Sequence, residues 1–268
     1  MRVAVLGSGS RGNAIVLEAD GFAVLVDVGF GIRALQRRAR AAAVDLRTVR
    51  AVLLTHEHSD HARGVSPLAQ QLSCPIYASP GTLAALAPRL VDLRTRELPA
   101  HGTAEIGPFT VSTCPTSHDA VEPLALTVTE TCSGERVGIA YDLGRPTPGV
   151  RRLLRDCSCL IIEANHDDSL LRTGPYPPVV RERIAGPGGH LSNRAAVELV
   201  EGLCHQRLHT VVLAHLSDHC NRIDLARRAV GNGLRRRGFR GRLLVAGQET
   251  PLASFQVAAE QYSFDAFG

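Results

Sequence analysis

The chain has 268 residues, 44% of them hydrophobic and 21% charged, with a formal net charge of +4. These are the proportions of a folded globular protein, and they exclude disordered, collagen-like and disulfide-scaffold classes. All 30 basic residues are arginine, a bias that suits phosphate contacts but that a genomic preference for arginine codons explains better.

In chain order, strands are predicted at 3–6, 14–18 and 23–27, aliphatic runs separated by glycine-rich or Asp-Gly turns, with residues 18–21 turning a hairpin. A helix fits 32–43. The continuous apolar run at 51–55 has the pattern of a strand buried on both faces, so His56 opens a loop at a strand end. Helices at 60–72 and 80–90 bracket a short strand at 75–78. Strands follow at 109–113, 124–129 and 136–141, with Ser133-Gly134 turning another hairpin. The second half alternates helices at 148–155, 193–205 and 223–236 with strands at 159–163, 210–214 and 242–245.

Interleaved strands and helices mean α/β layers, and no linker, repeat or low-complexity stretch divides the sequence, so residues 1–268 are expected to form a single domain. No run approaches the ~18 apolar residues of a spanning helix, and the opening lacks a secretory layout. A cytoplasmic protein with no membrane partner is expected. The seven cysteines are odd in number and show no C-x-x-C spacing, which favours buried free thiols. Arginines at 37, 38, 40 and 235–237 are expected on solvated helix faces, or along a nucleic-acid backbone if they border a cleft.

The most informative segment is Thr55-His56-Glu57-His58-Ser59-Asp60-His61, between a buried strand and a helix. Imidazoles and a carboxylate form a common ligand set for borderline metals, and one turn can aim His56 and His58 at one ion while Asp60 and His61 face another. Asp27, His118, Asp142 and His215 each stand at or just after the end of a predicted strand, where open sheets gather their sites. His101, His205, His209 and His219 match no motif. The Gly7–Asn13 loop lacks the Lys-Ser/Thr of a phosphate-binding P-loop and reads as a tight turn, with Asn13 placed to support the histidine loop.

This H-x-H-x-D-H segment, with those later residues in order, resembles the signature of the metallo-β-lactamase fold superfamily. The resemblance implies an αββα sandwich of two mixed sheets flanked by helices. It also implies two divalent metal ions, one on His56, His58 and His118, the other on Asp60, His61 and His215, with Asp142 bridging and Asp27 supporting the histidine loop. Zinc, manganese and iron all suit such ligands. The segments Gly7–Asn13, His118–Pro123, Glu163–Asp167, Gly189–Asn193 and Ala214–Ser217 further resemble the YycJ (WalJ) group of metallo-hydrolases, described as 5′ to 3′ DNA exonucleases linked to repair.

That likeness implies a phosphodiesterase, with DNA placed ahead of RNA as substrate. Glu163 and His190 look similar to the pair that protonates the leaving group in ribonuclease Z, a carboxylate raising the imidazole pKa so that it serves as general acid. Otherwise Glu163 is a buried strand carboxylate paired with an arginine. Asp60 and Asp142 would orient the attacking hydroxide, and Asn165 and His166 would bind phosphate oxygens or start the next helix. The same fold hosts small-molecule ester and thioester hydrolases, and a non-catalytic, metal-stabilised nucleic-acid-binding regulator is a third reading.

Overall fold

The computed structural model describes residues 1–257. Its strands are β1 (Arg2–Gly7), β2 (Ala14–Ala19), β3 (Phe22–Val26), β4 (Val49–Leu53), β5 (Ile76–Ala78), β6 (Thr95–Glu97), β7 (Thr103–Ile106), β8 (Phe109–Pro115), β9 (Leu124–Glu130), β10 (Arg136–Ala140), β11 (Cys159–Glu163), β12 (Thr210–Ala214), β13 (Arg242–Val245) and β14 (Phe255–Gln256). The helices are α1 (Ile32–Ala41), α2 (Ser59–Ala62), α3 (Val65–Leu72), α4 (Pro80–Leu86), α5 (Pro148–Leu153), α6 (Asp168–Thr173), α7 (Pro178–Ala185), α8 (Asn193–Leu203) and α9 (Ile223–Arg236).

The strands form two mixed sheets, ordered β14-β1-β2-β3-β4-β5-β6 and β13-β12-β11-β10-β9-β8-β7. Both pass from antiparallel to parallel pairing along their width, at β3–β4 in the first and β10–β11 in the second. Alternate residues of the two sheets, among them Val5, Ile15, Val26, Leu126, Ile139 and Val212, interdigitate in a central core. The opposite face of the first sheet packs on α1, α3 and α4, and that of the second on α5, α8 and α9. The layers are therefore helix, sheet, sheet, helix, as expected. Strands buried on both faces explain why Ala51–Leu54 and Cys159–Glu163 are unbroken apolar runs up to their last residue. No helix among the described residues is long and apolar enough to cross a membrane.

Several boundaries differ from expectation for identifiable reasons. Helix α1 stops at Ala41 because Ala43 takes a left-handed conformation, φ +54°, where glycine would have announced the stop. The helix expected at 60–72 is two helices. It breaks at Gly64, whose amide donates to Val28 O at 2.7 Å and whose Cβ, if present, would lie 2.1 Å from Phe30 O. Ser133-Gly134 does reverse the chain, but inside a loop over 131–135 rather than as a two-residue turn. Arg38 is buried rather than solvated: it stacks on Phe30 at 4.2 Å and donates to the carbonyls of Leu6, Gln248 and Glu249. Cys74, Cys114, Cys157, Cys159 and Cys220 are buried free thiols, while Cys132 is exposed.

Three segments cross at the end of the first sheet. Asn13 N donates to Asp60 O at 2.8 Å, Val28 N to His61 O at 2.6 Å, and Gly29 N to Asn13 O at 2.9 Å. A Cβ on Gly29 would lie 1.7 Å from Asp60 O, so only glycine lets these backbones meet. Gly29→Ala is accordingly expected to lose about 1–3 kcal/mol of stability, seen as a lower urea midpoint at unchanged slope. A wild-type midpoint would contradict this close crossing.

Candidate active site

The chain ends of β3, β4, β8, β10, β11 and β12 lie at one edge of the sandwich, and the chemistry-bearing residues leave from them. His56, His58 and His118 present ligand atoms within 4.8 Å of one another, as do Asp60, His61 and His215. Asp142 sits between the groups. Its Oδ2 is 2.8 Å from His61 Nε2 and 3.9 Å from His56 Nε2, and its Oδ1 is 3.5 Å from His215 Nε2 and 4.0 Å from His118 Nε2.

This donor set suits two divalent cations, since imidazoles and carboxylates are ordinary ligands of zinc, manganese and iron. His56 Nε2 and Asp142 Oδ2 are buried yet make no aligned hydrogen bond, a cost that coordination would remove. The carboxylates dominate the electrostatics: despite burial, Asp142 raises His61 well above an ordinary imidazole and His215 to about 9, a positive charge that bound cations would replace. Burial would raise the Asp142 carboxyl, but His215 and His61 hold it well below its ordinary range. Burial and the neighbouring His61 push His56 well down, so it stays neutral as a ligand must.

Asp27 ends β3 without reaching the ligand cluster's open side. Its Oδ1 accepts from Thr55 N, and its Oδ2 accepts from Thr55 Oγ1, at 2.8 Å each, and from Tyr141 OH at 2.6 Å. Its Oδ2 also lies 2.8 Å from His61 Nδ1, which fixes that proton on Nδ1 and turns Nε2 toward Asp60 and Asp142. Asn13 approaches from the other side, its Nδ2 3.1 Å from His61 Nε2 and its Oδ1 accepting from Ser8 Oγ at 2.9 Å. Ser8 Oγ in turn accepts from His215 N at 2.9 Å. Thr55, Tyr141 and Ser8 were not singled out in the sequence, and only their adjacency to His56, Asp142 and the Gly7–Asn13 turn could have marked them.

Glu163, fully buried, has no arginine partner among the described residues. It accepts from Leu143 N at 2.7 Å and Leu191 N at 3.1 Å, and its Oε1 is 2.7 Å from His190 Nδ1. His190 Nδ1 also lies 3.2 Å from Asp142 Oδ1. Burial alone would lower the His190 imidazole, but the charge of Glu163 and the hydrogen bonds to Asp142 and Glu163 hold it up at about 10. Asn165 spends its amide on His215, donating to the carbonyl at 2.9 Å, and so holds a candidate ligand. The start of α6 is capped by Asp167, whose Oδ1 accepts from Ser169 N and Leu170 N, rather than by Asn165 or His166. His166 is buried and bridged to Ser192, and its Nδ1 makes no hydrogen bond among the described residues.

A family model described as the beta-lactamase superfamily domain matches residues 23–235. The exodeoxyribonuclease YycJ of Bacillus anthracis is 30% identical over 243 residues, which cover 89% of this chain and 91% of that protein. The exodeoxyribonuclease WalJ of Streptococcus pneumoniae serotype 2 is 31% identical over 241 residues, covering 87% of this chain and 88% of that one. Among solved structures, the metallo-beta-lactamase fold protein YhfI of Bacillus subtilis superposes with a TM-score of 0.70 at 20% identity, covering 94% of this chain and 98% of that one. The chain belongs to the beta-lactamase superfamily, in the group of YycJ and WalJ, and is a metal-dependent hydrolase of the metallo-β-lactamase fold.

Proposed function

We propose that this protein is a dinuclear metal-dependent phosphodiesterase, a 5′ to 3′ DNA exonuclease acting in cytoplasmic DNA repair, with the whole chain working as one domain. The observation that carries the reading is the Glu163–His190 pair, 2.7 Å apart and facing Asp142, because a diester with a poor leaving group needs a proton donor and an activated ester does not. The names of the relatives support a nucleic-acid substrate, and this reading takes DNA ahead of RNA.

In this reading His56, His58 and His118 would hold one divalent ion and Asp60, His61 and His215 the other, with Asp142 between the two groups. Zinc and manganese are the first candidates, then iron. Bound there, two such ions would polarise the phosphoryl oxygens and lower the pKa of a water. Asp60 and Asp142 orient that water for in-line attack at phosphorus. The bond from phosphorus to the 3′ oxygen breaks, the phosphate stays with the shortened strand, and the departing oxygen takes the proton from His190 Nε2. Glu163 remains a carboxylate throughout and keeps Nε2 aimed by holding Nδ1. Asn165, which donates to the carbonyl of His215, and His166, bridged to Ser192, would contact the substrate's phosphate oxygens.

Purified protein is expected to carry two divalent ions per chain by elemental analysis and to release nucleotides stepwise from the 5′ end of labelled DNA. Asp142→Ala, still folded, is expected to bind fewer ions and to fall to background. Wild-type protein with both ions bound that leaves single-stranded DNA, double-stranded DNA and RNA intact would overturn the nuclease reading in favour of a small-molecule ester hydrolase.

The general acid gives a signed pH prediction. A proton donor works below its pKa, so kcat/KM falls as pH rises through that value. Glu163→Gln removes a carboxylate that raises His190, and the alkaline fall is expected to move to lower pH, with kcat down roughly 100-fold at neutrality. A p-nitrophenyl diester, whose leaving group needs no proton, is expected to lose the alkaline fall and most of the sensitivity to Glu163→Gln. Equal losses on both substrates would remove His190 from the role.

A further inference from the structure

Helix α7 buries none of its residues, so the core does little to hold it. It lies between the proline-rich run 174–178 and the glycine-rich run 186–189, and is fastened beside the site by three contacts. Arg183 Nε and Nη2 each reach Asp119 Oδ2 at 2.7 Å. His190 N donates to Ile184 O at 2.8 Å. A Cβ on Gly189 would lie 2.1 Å from Arg183 O, so glycine permits that approach. The helix is thus tied to the backbone of the proton donor and to the neighbour of His118.

Beneath it is a cavity of about 200 Å³, lined by Asp119, Tyr176, Val180, Arg183, Ile184 and His190 among others. Its walls divide by chemistry: Tyr176, Val180 and Ile184 are apolar or aromatic, while the Arg183–Asp119 ion pair and His190 form the polar side. Pockets for drug-sized ligands begin at ~300 Å³, so this one has room for a single planar ring and not for an extended strand. Val179 and Val121 are 70% and 65% exposed, and stand on the two segments that the Arg183–Asp119 pair joins.

The bond cleaved also fixes a direction. If His190 protonates the 3′ oxygen, the nucleotide that departs lies on the His190 side of the centre, and that is where the cavity opens. We infer that the cavity seats the 5′-terminal nucleotide of the strand, its base against Tyr176, Val180 and Ile184 and its phosphate charge on Arg183. A strand can then be cut only one nucleotide from its end. This assignment rests on the nuclease reading for its occupant but not for its test.

The test compares equilibrium binding of thymidine 5′-monophosphate and of deoxyribose 5-phosphate, which lacks the base, to the metal-loaded protein. Wild type is expected to prefer the nucleotide about tenfold, the range of base–aromatic stacking. Tyr176→Ala is expected to lose most of that preference. Val180→Ala, a milder truncation, should lose part of it, and Arg183→Gln should weaken both ligands alike. Equal affinity in wild type, or an undiminished preference in both Tyr176→Ala and Val180→Ala, would overturn the assignment. In turnover, a strand with an abasic 5′-terminal residue should lose its first nucleotide about tenfold more slowly. If no strand is degraded, the nuclease reading fails, while the binding comparison still decides the pocket.

Discussion

The structure depends on one buried carboxylate. Asp27 is fully enclosed, and removing a carboxylate from water costs several kcal/mol unless hydrogen bonds replace the lost hydration. Here they come from Thr55, Tyr141 and His61, which follow β4, follow β10 and stand in α2. One charge therefore clamps the two sheets together at the edge where the candidate ligands converge, and sets the tautomer of one of them. Burial and the charge of Asp27 push the Tyr141 hydroxyl well above its ordinary pKa, so it remains a donor. The same field overcomes the burial of His61, with Asp142 and Asp27 together raising it well above an ordinary imidazole. A hydrophobic replacement at position 27 would strand four donors on three residues at once, which is why the clamp and the site cannot be separated energetically.

The same edge carries strain. Asp27, Asp142 and His215 all adopt left-handed backbone, with φ of +59°, +53° and +53°, one or two residues after strands β3, β10 and β12. For a residue with a Cβ this costs about 1–2 kcal/mol. Glycine would be cheaper at each position but would bring no side chain. A strand continued in extended form sends successive side chains to alternate faces of its sheet, whereas the left-handed step breaks that alternation and turns the chain out of the sheet. Three such steps at one edge, each on a residue with a carboxylate or imidazole, mark places where positioning outweighs local stability.

Most of this arrangement was legible because burial on both faces writes strands as unbroken apolar runs, and the polar residue that ends each run is then conspicuous. Glu163 after Cys159–Ile162 and His215 after Thr210–Ala214 are of this kind, and β11, β12 and β13 fall where expected. The edges were not legible. Thr95–Glu97 and Thr103–Ile106 are short, half-exposed and polar, so neither alternation nor hydrophobicity distinguishes them from loop. Phe255–Gln256 is too brief to carry a pattern. The break at Gly64 and the burial of Arg38 are set by distant partners, Val28 and the 248–249 backbone, which no local window contains. Asp27 could be placed from its motif, but its bond to Tyr141 spans 114 positions.

Helix α7 was invisible for a different reason, and that reason bears on what it does. An amphipathic pattern exists only where a helix has a buried face, and α7 has none. Its position is instead over-determined by backbone contacts to His190 and by the Arg183–Asp119 pair. Asp142, Glu163 and His215 stand at strand ends rooted in the core, where small displacements are costly. The segment covering the neighbouring cavity has no such root, so outside Arg183 and Gly189 its side chains can vary at little cost to the fold. On the proposed reading, reaction chemistry and substrate choice are carried by parts of the chain under different constraints, and variation in substrate among proteins of this architecture should concentrate between residues 174 and 189 rather than at the strand ends.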